Sequence, residues 1–229
     1  MMKNLIDKYF AVHYHLHRVV AIDEETTQEE QFDLRDESPF LFPFGDGYAS
    51  FGNANKDKIH VLFYEEYIQK YAGTHFENGR LRCDFIVHGE PSAAIILNEI
   101  TSSGKGMDDL KKPILKKDKR TGNKIIVYAG GKLEKAETQL LQSLQTLNEV
   151  PEIGSFFDAQ LRKICLCSYK LYTSVDLTLI GNPVEAFNQG MAMIERETGE
   201  NGTIVSCPDI ENLGFEYRRI SHNYSFRIN

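Results

Sequence analysis

Two carboxylates, Asp84 and Glu99, lie within CDFIVHGEPSAAIILNEITSS (residues 83–103), a stretch whose apolar runs otherwise contain strand-forming residues. A carboxylate is costly to desolvate, and a Val at either place would serve a plain sheet better. If the stretch folds back on itself about GEPS, residues equidistant from the turn face each other, and Asp84 comes close to Glu99. Neighbouring strands are ~4.8 Å apart, a separation at which two carboxylates repel unless something positive sits between them. A divalent cation meets that need, because Mg²⁺ (or Mn²⁺ in its place) is held by one or two carboxylates while keeping waters for chemistry. Asp84 and Glu99 are therefore the expected metal ligands. The alternative is a polar hairpin whose carboxylates are solvated or locally hydrogen-bonded.

Around this pair the order of features is an acid beginning one strand (CDFIV), a turn, an apolar strand ending in an acid (IILNEIT) and then a helix. That order resembles the PD-(D/E)xK nuclease superfamily, the restriction-endonuclease-like fold, over about residues 59–172. The resemblance implies a helix, a three-stranded meander, a second helix and a further strand, with metal-dependent phosphodiester cleavage, as endonuclease or exonuclease, in active members. It also implies that a Glu of the first helix joins the metal, and Glu66, with Glu65 beside it, stands at that place. Where the motif has its lysine this chain has Thr101, which brings no positive charge to orient the attacking water or to offset charge developing on phosphate. Lys105, Lys132 or Lys135 would have to reach back from another element. Cys83 stands where the family has Pro. Of a Gln-x-x-x-Tyr pattern on the second helix only Gln139 is retained, with Ser143 at the last position.

Charge is segregated along a chain of net charge −7. Residues 23–37 carry eight acids against Arg35 alone, whereas residues 111–124 carry seven bases (Lys111, Lys112, Lys116, Lys117, Lys119, Arg120 and Lys124) against Asp118 alone. The overall balance argues against a general nucleic-acid coat. A basic loop of that size can still grip phosphate locally, DNA or RNA, or it can be a solvated loop.

The elements that must position these residues read as follows. YFAVHYHLHRVVAI is predicted as a long strand, which would set His13, His15 and His17 on one side, either as a paired transition-metal site or as an exposed or partner-facing row. KIHVLFYEEYIQKYAG is ambiguous between strand and helix; a helix through Glu65, Glu66 and Gln69 that ends near Gly73 is favoured, since Ile59, Leu62, Phe63 and Tyr67 recur at helical spacing. KIIVYA is a short strand. KLEKAETQLLQSLQTLNEV is the clearest helix, with Leu133, Ala136, Leu140, Leu144 and Leu147 on one face and Pro151 as its stop. RKICLCSYKLY and DLTLIG are predicted strands, NPVEAFNQGMAMIERETG a helix capped by Asn182 with Pro183 in its first turn, and GFEYRRI with YSFRI a terminal hairpin. YAGGKLEKAE reads as a strand-to-helix turn and falls short of a phosphate-binding loop. The aromatics interleaved with basic residues in FEYRRISHNYSFRIN would pack that hairpin or stack bases.

The expected fold is thus α/β, of mixed α+β type, with a central mixed β-sheet flanked by helices. The 229 residues are expected to form one domain. Its core covers about residues 59–172, with the N-terminal strand and acidic loop (1–58) and a C-terminal helix plus hairpin (173–229) as elaborations. No run approaches the ~18 apolar residues of a membrane span, and MMKNLIDKYF has no signal-peptide core, so a cytoplasmic protein that does not enter membranes is expected. Cys83, Cys165, Cys167 and Cys207 have neither zinc-site spacing nor disulfide-scaffold density and are expected to be reduced and structural. Two functions follow: a divalent-metal-dependent nuclease acting on DNA or RNA, or the same scaffold without chemistry, serving as a binding or assembly module. Oligomeric state is open, a homodimer included.

Overall fold

The stretch that carries both carboxylates folds as a hairpin. In a computed structural model that describes residues 1–104, 106–171 and 199–229, strands Phe85–Glu90 (β6) and Ala94–Ser103 (β7) pair antiparallel, with Phe85 opposite Asn98 and Gly89 opposite Ala94. They lie within a mixed seven-stranded sheet. Its spatial order is β1 (Glu24–Thr27), β5 (Lys58–Phe63), β6, β7, β10 (Arg162–Leu171), β12 (Glu216–Ser221) and β11 (Thr203–Ile204). The side from β1 to β7 is antiparallel, with β5, β6 and β7 as a meander; β10 runs parallel to β7 over ten residue pairs, and β12 runs parallel to β10.

Both faces of this sheet are covered, which is why its strands read as nearly continuous apolar runs. On one face Leu62, Ile86, Ile95, Leu97, Cys165 and Cys167 meet the helix Gly131–Asn148 (α4), through Leu133, Ala136, Leu140, Leu144 and Leu147. On the other, Ile59, Val61, Phe63, Phe85, Val87 and Ile96 meet Phe32, Leu34, Phe40 and Phe51. These last residues belong to a smaller sheet ordered β13 (Ser225–Arg227), β4 (Ala49–Gly52), β2 (Gln31–Leu34) and β3 (Leu41–Pro43), or flank it. The molecule is therefore a mixed α/β fold with helices on one side of the central sheet and a second sheet on the other. All four cysteines are buried and free. No helix among the described residues is long and apolar enough to cross a membrane.

Four sequence expectations change. The predicted first strand is instead a helix over residues 2–13 (α1), with a π-helical turn at Ile6–Phe10, followed by irregular chain. Met2, Ile6 and Phe10 recur at helical spacing and are all buried, and that burial outweighs the local alternation of HYHLH. No histidine row forms: His13 ends the helix, His15 takes a left-handed φ of 50°, and His13, His15 and His17 are exposed. The predicted helix over KIHVLFYEEYIQKYAG is strand β5 up to Phe63, and only Tyr64–Gln69 (α2) is helical, because a strand buried on both faces shows no two-residue alternation. Pro151 does more than stop α4, which ends at Asn148; it opens the next helix, Pro151–Asp158 (α5). The predicted terminal hairpin does not form. β12, with Tyr217 buried on one face and Ile220 on the other, enters the central sheet, and β13 pairs in parallel with β4. The predicted strand DLTLIG, the helix start at Asn182 and Pro183, and Lys105 lie outside the described residues.

Candidate metal centre

Asp84 stands one residue before β6, at a junction of three elements. Its backbone N–H donates to the Asn98 carbonyl at 3.1 Å, which extends the hairpin and sets Asp84 opposite Glu99. Its carbonyl accepts from the N–H groups of Tyr64 at 2.8 Å and Glu65 at 3.1 Å. The first turn of α2 is thereby built on Asp84, and Glu65 arrives beside its carboxylate. Asp36, from the connection between β2 and β3, closes the group: carboxylate oxygens of Asp36, Glu65 and Asp84 all lie within 4.8 Å of one another. Asp84 is 3% exposed and Glu99 5%, whereas Glu65 is half-buried and Asp36 reaches solvent.

This cluster is short of positive charge. Burial, then the Asp36 carboxylate, push the Asp84 carboxyl well above the usual carboxylate range, against the Ile100 N–H that donates to its Oδ2 at 2.6 Å. Burial, then Asp84, push Glu99 up likewise, while Lys135 opposes them. Asp36 is raised by burial and by Glu65 and Glu37. Arg82 Nε approaches Glu65 to 3.9 Å, but its Nη1 is committed to Glu77 at 2.9 Å. Glu99 Oε2 is buried with no hydrogen-bond partner.

Asp36, Glu65 and Asp84 can hold a metal ion. Their donors are all hard oxygens, and octahedral bonds of ~2.1 Å would set ligand oxygens about 3.0–4.2 Å apart, a modest contraction of the present group. A bound divalent charge would also invert the local pKa pattern. Glu99, the other expected ligand, stands opposite Asp84 but is not one of the three residues whose oxygens converge.

The other expected site residues fall as follows. Glu65 rather than Glu66 reaches the cluster, since consecutive helical residues point about 100° apart and one of the two must turn away. Thr101, half-buried on β7, stands opposite Tyr169 of β10. Lys132 Nζ donates to the Ser102 carbonyl at 2.7 Å and lies 3.8 Å from Asp109. Lys135 is the lysine whose charge bears on Glu99. Gln139 Nε2 donates to the Arg82 carbonyl at 2.8 Å, and Ser143 Oγ accepts from the Cys83 N–H at 2.7 Å while donating to the Gln139 carbonyl at 2.8 Å. Gln139 and Ser143 thus clamp the backbone just before Asp84 onto α4.

The basic segment is a hairpin, not a loop. Lys111 ends a short helix (Met107–Lys111, α3), Lys112 follows it, and β8 (Ile114–Lys117) pairs with β9 (Lys124–Tyr128). Asp118 closes the tip by accepting from the Arg120 N–H at 2.8 Å and the Thr121 hydroxyl at 2.9 Å. Lys116, Lys117, Lys119, Arg120 and Lys124 are all exposed. Gly131, at φ +70°, pins the base of the hairpin to the start of α4: a Cβ there would lie 2.2 Å from the Lys112 carbonyl oxygen. The hairpin therefore leaves the end of α4 that carries Lys132 and Lys135.

The chain matches no protein-family model, no curated protein and no solved structure. Two participants had no clear sequence signal: Asp36 is one acid of eight in the run 23–37, and nothing in the spacing separates Glu65 from its neighbour.

Proposed function

We propose that the protein is a divalent-metal-dependent nuclease-like protein acting on phosphodiester bonds of DNA or RNA. The observation that carries this reading is the cation-poor cluster of Asp36, Glu65 and Asp84 at the head of the β6–β7 hairpin, anchored on the buried Asp84, with Glu99 Oε2 beside it lacking a partner. Asp84, Glu65 and Asp36 would hold the ion, with Glu99, opposite Asp84 on β7, proposed as a further ligand. Mg²⁺ or Mn²⁺ would supply Lewis acidity toward a phosphoryl oxygen and a more acidic water. Lys135 supports the reading as the cation on the helix across the site: it takes the role for which Thr101 has no charge, facing the negative charge that develops on phosphate. Gln139 and Ser143 position the strand that bears Asp84. The 114–128 hairpin holds the nucleic-acid backbone through Lys116, Lys117, Lys119, Arg120 and Lys124, with Lys111 and Lys112 at its base.

Thr101 favours a second reading, in which the site binds metal without cleaving and the protein serves as a binding or assembly module. One experiment separates the two. End-labelled single- and double-stranded DNA and RNA are incubated with wild type, Asp84→Asn, Glu99→Gln and Lys135→Met, in Mg²⁺, Mn²⁺ or EDTA. Metal-dependent cleavage by wild type, absent in both carboxylate variants and reduced about 10²-fold or more in Lys135→Met, is the nuclease outcome. Metal binding by calorimetry without cleavage, with weak activity appearing in Thr101→Lys, is the module outcome. Absence of divalent-cation binding at millimolar concentration overturns both forms of the metal reading.

A further inference from the structure

The basic hairpin carries aliphatic side chains as well as charge. β8 and β9 form a sheet of their own, and no third strand among the described residues joins them. Leu115 and Ile126 are direct cross-strand partners, and the next pair toward the tip on the same face is Lys117 with Lys124. The opposite face presents Lys116 with Ile125. Leu115 is 57% exposed, Ile126 64% and Ile125 46%, and they are three of the nine exposed large hydrophobic residues among those described. Such side chains are ordinary when scattered, but three on one short ribbon make a patch. The ribbon has a single acid, Asp118, and it is turned back onto the tip by the Arg120 N–H and the Thr121 hydroxyl.

The two chemistries together restrict the partner. Aliphatic side chains set among lysines call for a ligand that is apolar at its centre and anionic at its margins. Lys116 lies on one face, Lys117 and Lys124 on the other, and Lys119 and Arg120 at the tip. A flat anionic surface would meet one face alone, whereas a groove walled by phosphates on both sides meets all five cations. The major groove of B-DNA has that form: it is ~12 Å wide, admits a two-stranded ribbon and offers the C5-methyl groups of thymine to apolar side chains. The ribbon's dimensions agree, with strands ~4.8 Å apart. The five residues of β9 span ~17 Å, or about five base pairs at ~3.4 Å each. A-form RNA closes its major groove to side chains, and a single strand has no groove.

We propose that the β8–β9 ribbon lies in the major groove of duplex DNA, with Leu115 and Ile126 against thymine methyl groups and the basic side chains on the flanking phosphates. This rests on the nucleic-acid reading above and narrows it to duplex DNA. The contact requires no metal, so it is separable from cleavage.

The test is fluorescence anisotropy of the full chain in EDTA. The probes are a mixed-sequence DNA duplex of about 20 base pairs, two helical turns, its single strands, its RNA counterpart, and the same DNA duplex with every thymine replaced by uracil. The thymine duplex is expected to bind at least about 10-fold more tightly than the single strands or the RNA duplex. Uracil, which lacks only the methyl, should weaken wild-type binding about 4-fold for each methyl contacted. The doubly substituted Leu115→Ser, Ile126→Ser chain should lose about 10-fold on the thymine duplex, keep the wild-type salt slope and no longer distinguish uracil from thymine. The uracil comparison leaves the protein untouched, so it decides the matter even if that variant disturbs the hairpin. Equal affinity for duplex and single strands, wild-type indifference to uracil, or no binding to DNA would each overturn the ribbon. So would sedimentation showing a dimer of this chain that the double variant dissolves, since a second copy would then cover Leu115 and Ile126. Metal-dependent cleavage alongside any of these results would leave the nuclease reading standing and remove this one.

Discussion

Asp84 and Glu99 hold their protons more tightly in the fold than an exposed carboxyl does, and this couples them to stability. A carboxyl group with a folded-state pKa above its unfolded value binds more protons folded than unfolded between the two values, so stability is lost as pH rises through that window. His88 works the other way: its pKa, lowered to about 4, makes stability fall as pH drops from about 6.5 toward 4. Variants that keep His88 isolate the carboxylate effect at each pH. In EDTA, the wild-type melting temperature should fall relative to those of Asp84→Asn and Glu99→Gln as pH rises from the ordinary carboxylate range, and both variants should then melt roughly 2–6 °C higher. Mg²⁺ should raise the melting temperature of wild type and of neither variant. Scanning calorimetry with and without EDTA checks both; a wild-type curve indifferent to pH and Mg²⁺ would contradict the desolvated cluster. At this scale the pair was legible, because a symmetric turn fixes which residues face each other. Asp36 was not, because a loop brings it from a distant part of the chain and no local period records that approach.

Helix α4 orders the site without contributing a metal ligand to the acidic group. Ser143→Ala removes the acceptor for the Cys83 N–H and leaves a buried donor unpaired, a loss of about 1–3 kcal/mol. Urea denaturation should show that loss, and calorimetry should show weaker metal binding, although Ser143 touches no carboxylate; unchanged affinity would mean the clamp does not position Asp84. Gly131→Ala should cost about 1–3 kcal/mol from its positive φ alone, and more from the clash with the Lys112 carbonyl. The amphipathic period made α4 readable from sequence, since a helix lying on a sheet has one wet face. β5 was misread for the opposite reason: apolar layers cover both of its faces, so no two-residue alternation marked it, and the spacing of Ile59, Leu62 and Phe63 passed for a helical one. α1 was misread because HYHLH alternates locally, whereas the residues that bury the helix lie before it.

Across the whole molecule, a net charge of −7 coexists with an exposed basic hairpin. Where nucleic acid binds there, affinity should fall by orders of magnitude between about 50 and 200 mM salt. Replacing Lys116, Lys117, Lys119 and Arg120 by Gln should flatten the slope by up to about four counterions, measured by fluorescence anisotropy. An unchanged slope would reduce the hairpin to a solvated face. The parallel pairing of β13 with β4 has a further consequence, for the order in which the chain is made. Residues 31–52 leave the ribosome early, but Phe226 and Ile228, which complete the apolar layer over Phe32 and Phe51, are synthesised some two hundred residues later. Arg162 waits with them, since its guanidinium donates to the carbonyls of Arg227 and Ile228. Both faces of the sheet therefore await late residues, Phe226 and Ile228 on one and Ile210, Phe215 and Tyr217 on the other, and it is in that interval that the nascent chain presents a surface for chaperones or for aggregation.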